Sequence, residues 1–154
     1  MNKPPQVETA KALMTEAMGW SVMKWLREKK KVRKTADLAN AALDQMSESL
    51  KARWTDSLRD AYAALGTTGD SAVRGQRKQA FEAVGHETKL VAKKIKEADD
   101  AAYRARMDAE KTFDDAEKQL STSLAREGCR KAIHGWELHE KAIRMAEAAI
   151  PQVE

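Results

Sequence analysis

Apolar side chains recur at intervals of three and four residues along most of the chain, which is the spacing of one face of an α-helix. The pattern falls into two long blocks. In the first block the apolar positions are Val32, Ala36, Ala39, Leu43, Met46, Leu50, Trp54, Leu58, Ala61 and Leu65. In the second block they are Val91, Ile95, Ala98, Ala102, Ala105, Ala109, Phe113, Ala116, Leu120 and Leu124. The two stripes predict long amphipathic helices with coiled-coil-like packing.

Proline is confined to the two ends of the chain, at Pro4, Pro5 and Pro151. Because proline lacks a backbone N–H and its ring clashes with the preceding turn, it breaks the helices that it interrupts. The intervening residues are rich in alanine, lysine, glutamate, leucine and arginine, which favour helix. Together these observations predict an all-α fold.

A stretch rich in glycine and threonine, residues 66–70, interrupts the helical pattern. Its glycines fit the end of one helix, and the Asp-Ser pair that closes it fits the start of the next. We therefore predict an inter-helix loop over residues 66–70. Because this connection is short, the helices on either side are expected to be antiparallel neighbours.

The other helix boundaries are less well defined by the sequence. The stretch 27–34 is almost wholly charged, and Thr35 after it could cap a new helix. Two alternatives stay open here: one helix over residues 7–65, or two helices divided near Thr35. In the second block Gly128 fits a helix end, and we expect Pro151 to end the last helix.

The alanine-rich stripes bury little apolar area per turn, so a single hairpin of such helices would be weakly stabilised. A helix over residues 7–65 would be roughly 85 Å long and would expose much of its surface. We therefore expect an antiparallel bundle of long helices, folded back into about four segments, or a dimer. The length of 154 residues suits a single domain over residues 1–154, with a flexible N-terminus over 1–6 and a C-terminal tail over 151–154.

Composition narrows the class of protein without indicating a substrate or partner. Hydrophobic residues make up 42% of the chain and charged residues 34%, a balance typical of long helices with wide solvated faces. No apolar run approaches the length of about 20 residues that crosses a bilayer, and the N-terminus lacks a signal-peptide core. The single cysteine, Cys129, excludes an intramolecular disulfide and is expected in the core. We expect a cytoplasmic protein without a transmembrane segment.

Candidate catalytic and metal-binding residues are few and scattered. The chain has no glycine-rich phosphate loop and no serine-hydrolase motif. The Glu-x-x-His motif of di-iron bundles is missing at His86, His134 and His139. Because His134 and His139 lie on different sides of a helix, they and Glu137 would need another helix to hold a metal. We expect no enzyme activity and no cofactor, and we keep a metal- or ligand-binding bundle that uses His134, Glu137 and His139 as an alternative.

The segment 17–26 carries a single charge and is apolar around most of the helix circumference. Such a helix is buried on several sides or contacts a partner, and Trp and Met are frequent at interfaces. Three interpretations stay open: the centre of the bundle, an interface with a partner, or docking on a membrane surface. The candidate interface residues are Met18, Trp20, Val22, Met23, Trp25 and Leu26.

A dense cluster of basic residues overlaps the end of this segment, and Glu28 is the only acidic residue within it. The cluster could bind nucleic-acid phosphates or an anionic membrane. A solvated bend between two helices would have the same composition. The candidate contacts are Lys24, Arg27, Lys29, Lys30, Lys31, Arg33 and Lys34.

These observations favour a non-enzymatic helical-bundle protein with an interaction or structural role. We expect it to associate with itself or with another helical protein, because the apolar stripes are long and segment 17–26 is apolar on several sides. The main alternative is a basic helical module that binds nucleic acid through the cluster between Lys24 and Lys34. The net charge of +4 is a weak indication in the same direction.

Overall fold

Four α-helices account for nearly all of the residues that the computed structural model describes. The structure describes the backbone of residues 4–65 and 71–153 and the side chains of residues 4–56, 82, 85–86 and 88–149. The described residues contain no β-strand, so the predicted all-α fold is confirmed. The helices are α1 (Pro5–Ala17), α2 (Val22–Leu65), α3 (Ser71–Gln119) and α4 (Thr122–Val153).

The fourth helix is the centre of the bundle. It packs against each of the other three helices and shares its largest interface with α3, whereas α2 and α3 have little backbone contact with each other. Ion pairs join Arg33 to Asp114 and Asp44 to Arg106, so α2 and α3 run in opposite directions. The bundle is antiparallel along its chain order, as predicted.

The first helix break lies at residues 18–21, and both predicted alternatives, a single helix over 7–65 and a division near Thr35, are wrong. The backbone N–H of Gly19 donates to the carbonyl of Glu16, which begins a tight turn. Ser21 Oγ then accepts the backbone N–H of Lys24 at 3.3 Å and caps α2. Thr35 lies inside α2, where its hydroxyl donates to the Lys31 carbonyl. The charged stretch 27–34 is therefore continuous helix.

The second break lies at Leu120 and Ser121, so the predicted helix end at Gly128 is also wrong. Leu120 has a positive φ of 51°, which turns the chain, and Ser121 Oγ accepts the backbone N–H of Leu124 at 3.2 Å as a helix cap. Gly128 lies inside α4 against the ring of Phe113. Its lack of a side chain serves the packing of α3 on α4 and does not end a helix.

The helix ends near the termini also differ from the prediction. The helix α1 begins at Pro5, so residues 5 and 6 of the predicted N-terminal segment are helical. Proline suits the first helical position, because the backbone N–H that it lacks would have no partner within the helix there. The helix α4 continues through Pro151 to Val153, since a proline in the last turn removes a single backbone hydrogen bond. The predicted loop over 66–70 lies outside the described residues, between the end of α2 and the start of α3.

In the first predicted stripe, every described side chain belongs to the core or packs against it. In the second stripe this holds for Ala109, Phe113, Ala116 and Leu124, whereas Val91, Ile95, Ala98 and Ala105 are half-buried outside the core cluster. The largest fully buried side chains are Trp136, Met14, Leu43, Ile143, Val7, Val32 and Cys129. Leu120 of the second stripe is exposed, because it lies in the turn between α3 and α4. In the described part of the chain, no helix has the length and apolar character to cross a membrane.

Candidate functional site

The two tryptophans of segment 17–26 point into the core. Trp20 and Trp25 are buried, and the Trp25 ring stacks on Phe113 with 5.6 Å between ring centroids. Met18, Val22 and Leu26 are half-buried, whereas Met23 is 70% exposed. The segment therefore helps to build the bundle through its two tryptophans.

The basic cluster is divided between different faces of α2. Lys24 lies over the Trp20 ring, with 5.2 Å from Nζ to the centroid. Arg33 pairs with Asp114 at 2.8 Å and with Glu117 at 3.3 Å, which ties α2 to α3. Lys24 Nζ also lies 3.9 Å from Glu16 Oε1 of α1, so both side chains form ion pairs with a neighbouring helix. Lys29 is half-buried.

The remaining four basic residues form a single exposed row, which we name the basic stripe: Arg27, Lys30, Lys31 and Lys34. Their spacing of three and four residues places them on one side of α2, opposite the buried side that carries Trp25, Val32 and Ala39. Among the described residues, none of the four forms a hydrogen bond or ion pair. Met23 and Leu38, 70% and 52% exposed, continue the row at its two ends.

The three candidate metal ligands are not brought together. His134 and Glu137 are exposed, whereas His139 is buried between α4 and α2. In the described part of the chain, no group of three or more His, Cys, Asp or Glu side chains has the geometry to hold a metal ion. His139 Nε2 instead lies 2.8 Å from Ser47 Oγ. Burial lowers the pKa of His139, because the charged imidazolium would lose its hydration.

Other buried polar groups on α4 also contact neighbouring helices. Trp136 Nε1 donates a hydrogen bond of 2.7 Å to Asn40 Oδ1. Glu140 Oε1 lies 2.6 Å from Lys11 Nζ. The first contact ties α4 to α2, and the second ties it to α1. Sequence reasoning missed both, because each partner is distant along the chain and neither belongs to a recognisable motif.

A groove runs between α2 and α3, and α4 forms its floor. The ion pair between Arg106 and Asp44, 2.8 Å long, lies across it and divides it into two compartments. The first, of about 210 Å³, has Trp136 and Asn40 in its lining, and we name it the Trp136 compartment. The second, of about 340 Å³, has Trp54 in its lining, and we name it the Trp54 compartment.

The Trp54 compartment has an apolar interior and a charged rim. Leu50 and Trp54 of α2, Ile95 of α3 and Ile143 of α4 are the large apolar residues of its lining. Four charged side chains also line it, and among the described residues none of them is paired with an opposite charge. These residues are Lys51, Lys96, Asp99 and Asp100.

Cys129 is buried in the core, as expected, and burial raises the pKa of its thiol to about 12. Such a thiol is almost never ionised near neutral pH and is a poor nucleophile.

No protein-family model matches the chain, and no curated protein or solved structure is significantly similar to it. The function is therefore inferred from the residues of this chain alone.

Proposed function

We propose that the protein is a non-enzymatic interaction protein and that the basic stripe of α2 binds nucleic acid. The observation that carries this proposal is the row formed by Arg27, Lys30, Lys31 and Lys34, which faces solvent without an acidic partner among the described residues. A cytoplasmic location, suggested by the single cysteine, is part of the same proposal.

The buried titratable groups support a non-enzymatic role. Histidine and glutamate are frequent general acids and bases in enzymes, and among the described residues His139 and Glu140 are the buried ones of these two types. Each contacts another helix of the bundle, His139 through Ser47 and Glu140 through Lys11. Their polar atoms thus contribute to the packing of the bundle, whereas the basic stripe is directed outward.

The dimensions of the basic stripe suit contact with the sugar–phosphate backbone. From Arg27 to Lys34 the helix rises about 10 Å, over which four cations are presented. Cations that neutralise phosphates release condensed counterions, so binding weakens steeply with salt. Four contacts predict a slope of log affinity against log salt of about −3.6 for duplex DNA and about −2.8 for a single strand. Base-specific recognition is not expected from such side chains.

The test is fluorescence anisotropy with labelled duplex and single-stranded oligonucleotides over a range of salt concentrations. The double variant Lys30→Gln/Lys34→Gln should bind more weakly, and its duplex slope should fall to about −1.8. The matched control is Lys111→Gln/Lys118→Gln, which removes the same charge from exposed positions of α3 and should keep the wild-type slope. Wild-type protein that fails to bind at low salt, or two variants that lose affinity equally, would overturn the proposal.

Self-association is a second candidate function, favoured by an exposed apolar pair on α3. Tyr103 and Met107 are 59% and 39% exposed and lie four residues apart, on the same side of the helix. Light scattering over a range of protein concentrations should show an oligomer. The variant Tyr103→Ser/Met107→Ser should shift it toward monomer, whereas Leu90→Ser, at an exposed position elsewhere on α3, should not. A wild-type monomer at every concentration would reject this candidate.

A further inference from the structure

The Trp54 compartment has the features of a small-molecule site. Its volume of about 340 Å³ lies within the range of ligand pockets, which are mostly apolar with a few polar groups. It is lined by three different helices, α2, α3 and α4. We propose that it binds an amphipathic anion, namely a molecule with an unbranched or aromatic apolar body and one carboxylate. This site is separate from the basic stripe and does not depend on the proposed function.

The apolar interior accounts for the body of the ligand. Leu50 and Ile143 line the compartment as buried side chains, whereas Ile95 and Trp54 are half-buried and keep apolar surface open to it. Covering these side chains with hydrocarbon would remove apolar area from water, at about 25 cal/mol per Å². The body is thus held without directional contacts, and its exact shape is weakly specified.

The lysines on the rim account for the carboxylate. The ion pairs Arg33–Asp114 and Asp44–Arg106 fix the antiparallel register of α2 and α3. The same register places Lys51 of α2 level with the stretch of α3 from Lys96 to Asp99, so each of these two walls of the compartment carries one lysine.

The two aspartates are placed differently. Asp99 and Asp100 both belong to the α3 wall, about one helical turn from Lys96 toward the Asp44–Arg106 ion pair. A cationic head group would therefore meet carboxylates from one side only. An anionic head group can be held between the two lysines, one from each wall.

The test is calorimetric titration of the full chain with three probes that share a decyl chain: decanoate, 1-decanol and decyltrimethylammonium. Decanoate should bind most tightly. Tighter binding of the cationic probe would show that Asp99 and Asp100, and not the lysines, bind the head group, and it would overturn the proposal. Equal binding of all three would indicate a nonspecific apolar surface and would also overturn it, as would the absence of any binding.

Variants separate the head-group contacts from the apolar body. Lys51→Gln and Lys96→Gln should each weaken decanoate about two- to fivefold and leave decanol unchanged. Ala92→Trp, at an exposed position that lines the compartment, should fill it and weaken decanoate and decanol by at least about tenfold. The control Ala41→Trp adds the same side chain at an exposed position of α2 outside the groove and should bind as the wild type does. Unchanged affinity in Ala92→Trp would place the ligand elsewhere and reject the site.

Discussion

Lys11 and Glu140 form an ion pair that is almost enclosed by the bundle. Nζ and Oε1 are 2.6 Å apart, and the side chains are 19% and 3% exposed. The pair joins the short helix α1 to the central helix α4. A buried ion pair adds little net stability, because desolvation offsets the attraction, but an isolated buried charge is costly. The pair therefore contributes little to the net free energy of folding, and its main effect is to fix the position of α1 on α4.

Loss of one member of this pair should be much more damaging than loss of both. Lys11→Met leaves the Glu140 carboxylate buried without its partner, and we expect the free energy of unfolding to fall by about 3–5 kcal/mol. The double variant Lys11→Met/Glu140→Leu removes both charges and should recover most of this loss. Urea denaturation of the two variants and the wild type measures the difference. A double variant that is less stable than Lys11→Met would contradict this view of the pair.

Two glycines of α4 should respond to alanine in opposite ways. A Cβ at Gly128 would lie 2.8 Å from two ring carbons of Phe113, and that ring is buried and stacked on Trp25. Gly128→Ala should therefore destabilise the protein by about 1–3 kcal/mol through overpacking, partly offset by better helix propensity.

Gly135→Ala is the matched control, because a Cβ there would meet its nearest atoms at 3.4 Å, an ordinary contact. This variant should gain up to about 1 kcal/mol from helix propensity. Thermal unfolding of both variants gives the comparison. Equal shifts of Tm for the two would argue against the close packing of α3 on α4 at Gly128.

The sequence predicted the helices well where the apolar period is regular, and it failed at both short breaks. At the first break the period continues across the turn, because Met18 and Val22 are apolar and in phase. At the second break Leu120 matches the stripe although it lies in the turn. The capping residues Ser21 and Ser121 are the local signals that could have placed these breaks.

The groove could not be predicted from the sequence, because it results from the distance between two helices. The periodicity of α2 and α3 predicts that they pack, and it does not predict where they separate. Their separation depends on tertiary contacts such as the Arg106–Asp44 ion pair and on α4 as the floor. The exposed row of the basic stripe, in contrast, follows from helical spacing once α2 is known to be continuous.

The stability of the protein should fall as the pH is lowered through the range in which histidine titrates. The pKa of His139 is lowered chiefly by burial; Asp99 and Asp44 oppose this effect, whereas Arg106 and Lys51 add to it. Because the unfolded chain binds a proton more readily than the folded one, this contribution is complete above about pH 6.5 and is lost below it.

Urea denaturation between pH 5 and pH 8 measures this dependence. His139→Gln should flatten the profile over this range. His134→Gln, at an exposed position of the same helix, should leave it unchanged. A profile that is identical in wild type and His139→Gln would show that the buried imidazole does not cause the loss.

Cys129 should be protected from thiol reagents as long as the bundle is folded. Burial raises the pKa of its thiol to about 12, and the side chain has no exposed surface, so both the thiolate and access for the reagent are missing. At pH 8 an unfolded cysteine with a pKa of about 8.5 is partly ionised, so labelling of the native protein should be about a thousandfold slower or more. Labelling with a chromogenic disulfide in native buffer and in denaturant gives the ratio. Cys129 lies next to Gly128, so overpacking against Phe113 in the Gly128→Ala variant should also expose the thiol. Gly128→Ala should therefore label faster than Gly135→Ala. Equal labelling rates for the two variants would show that the overpacking does not open this part of α4.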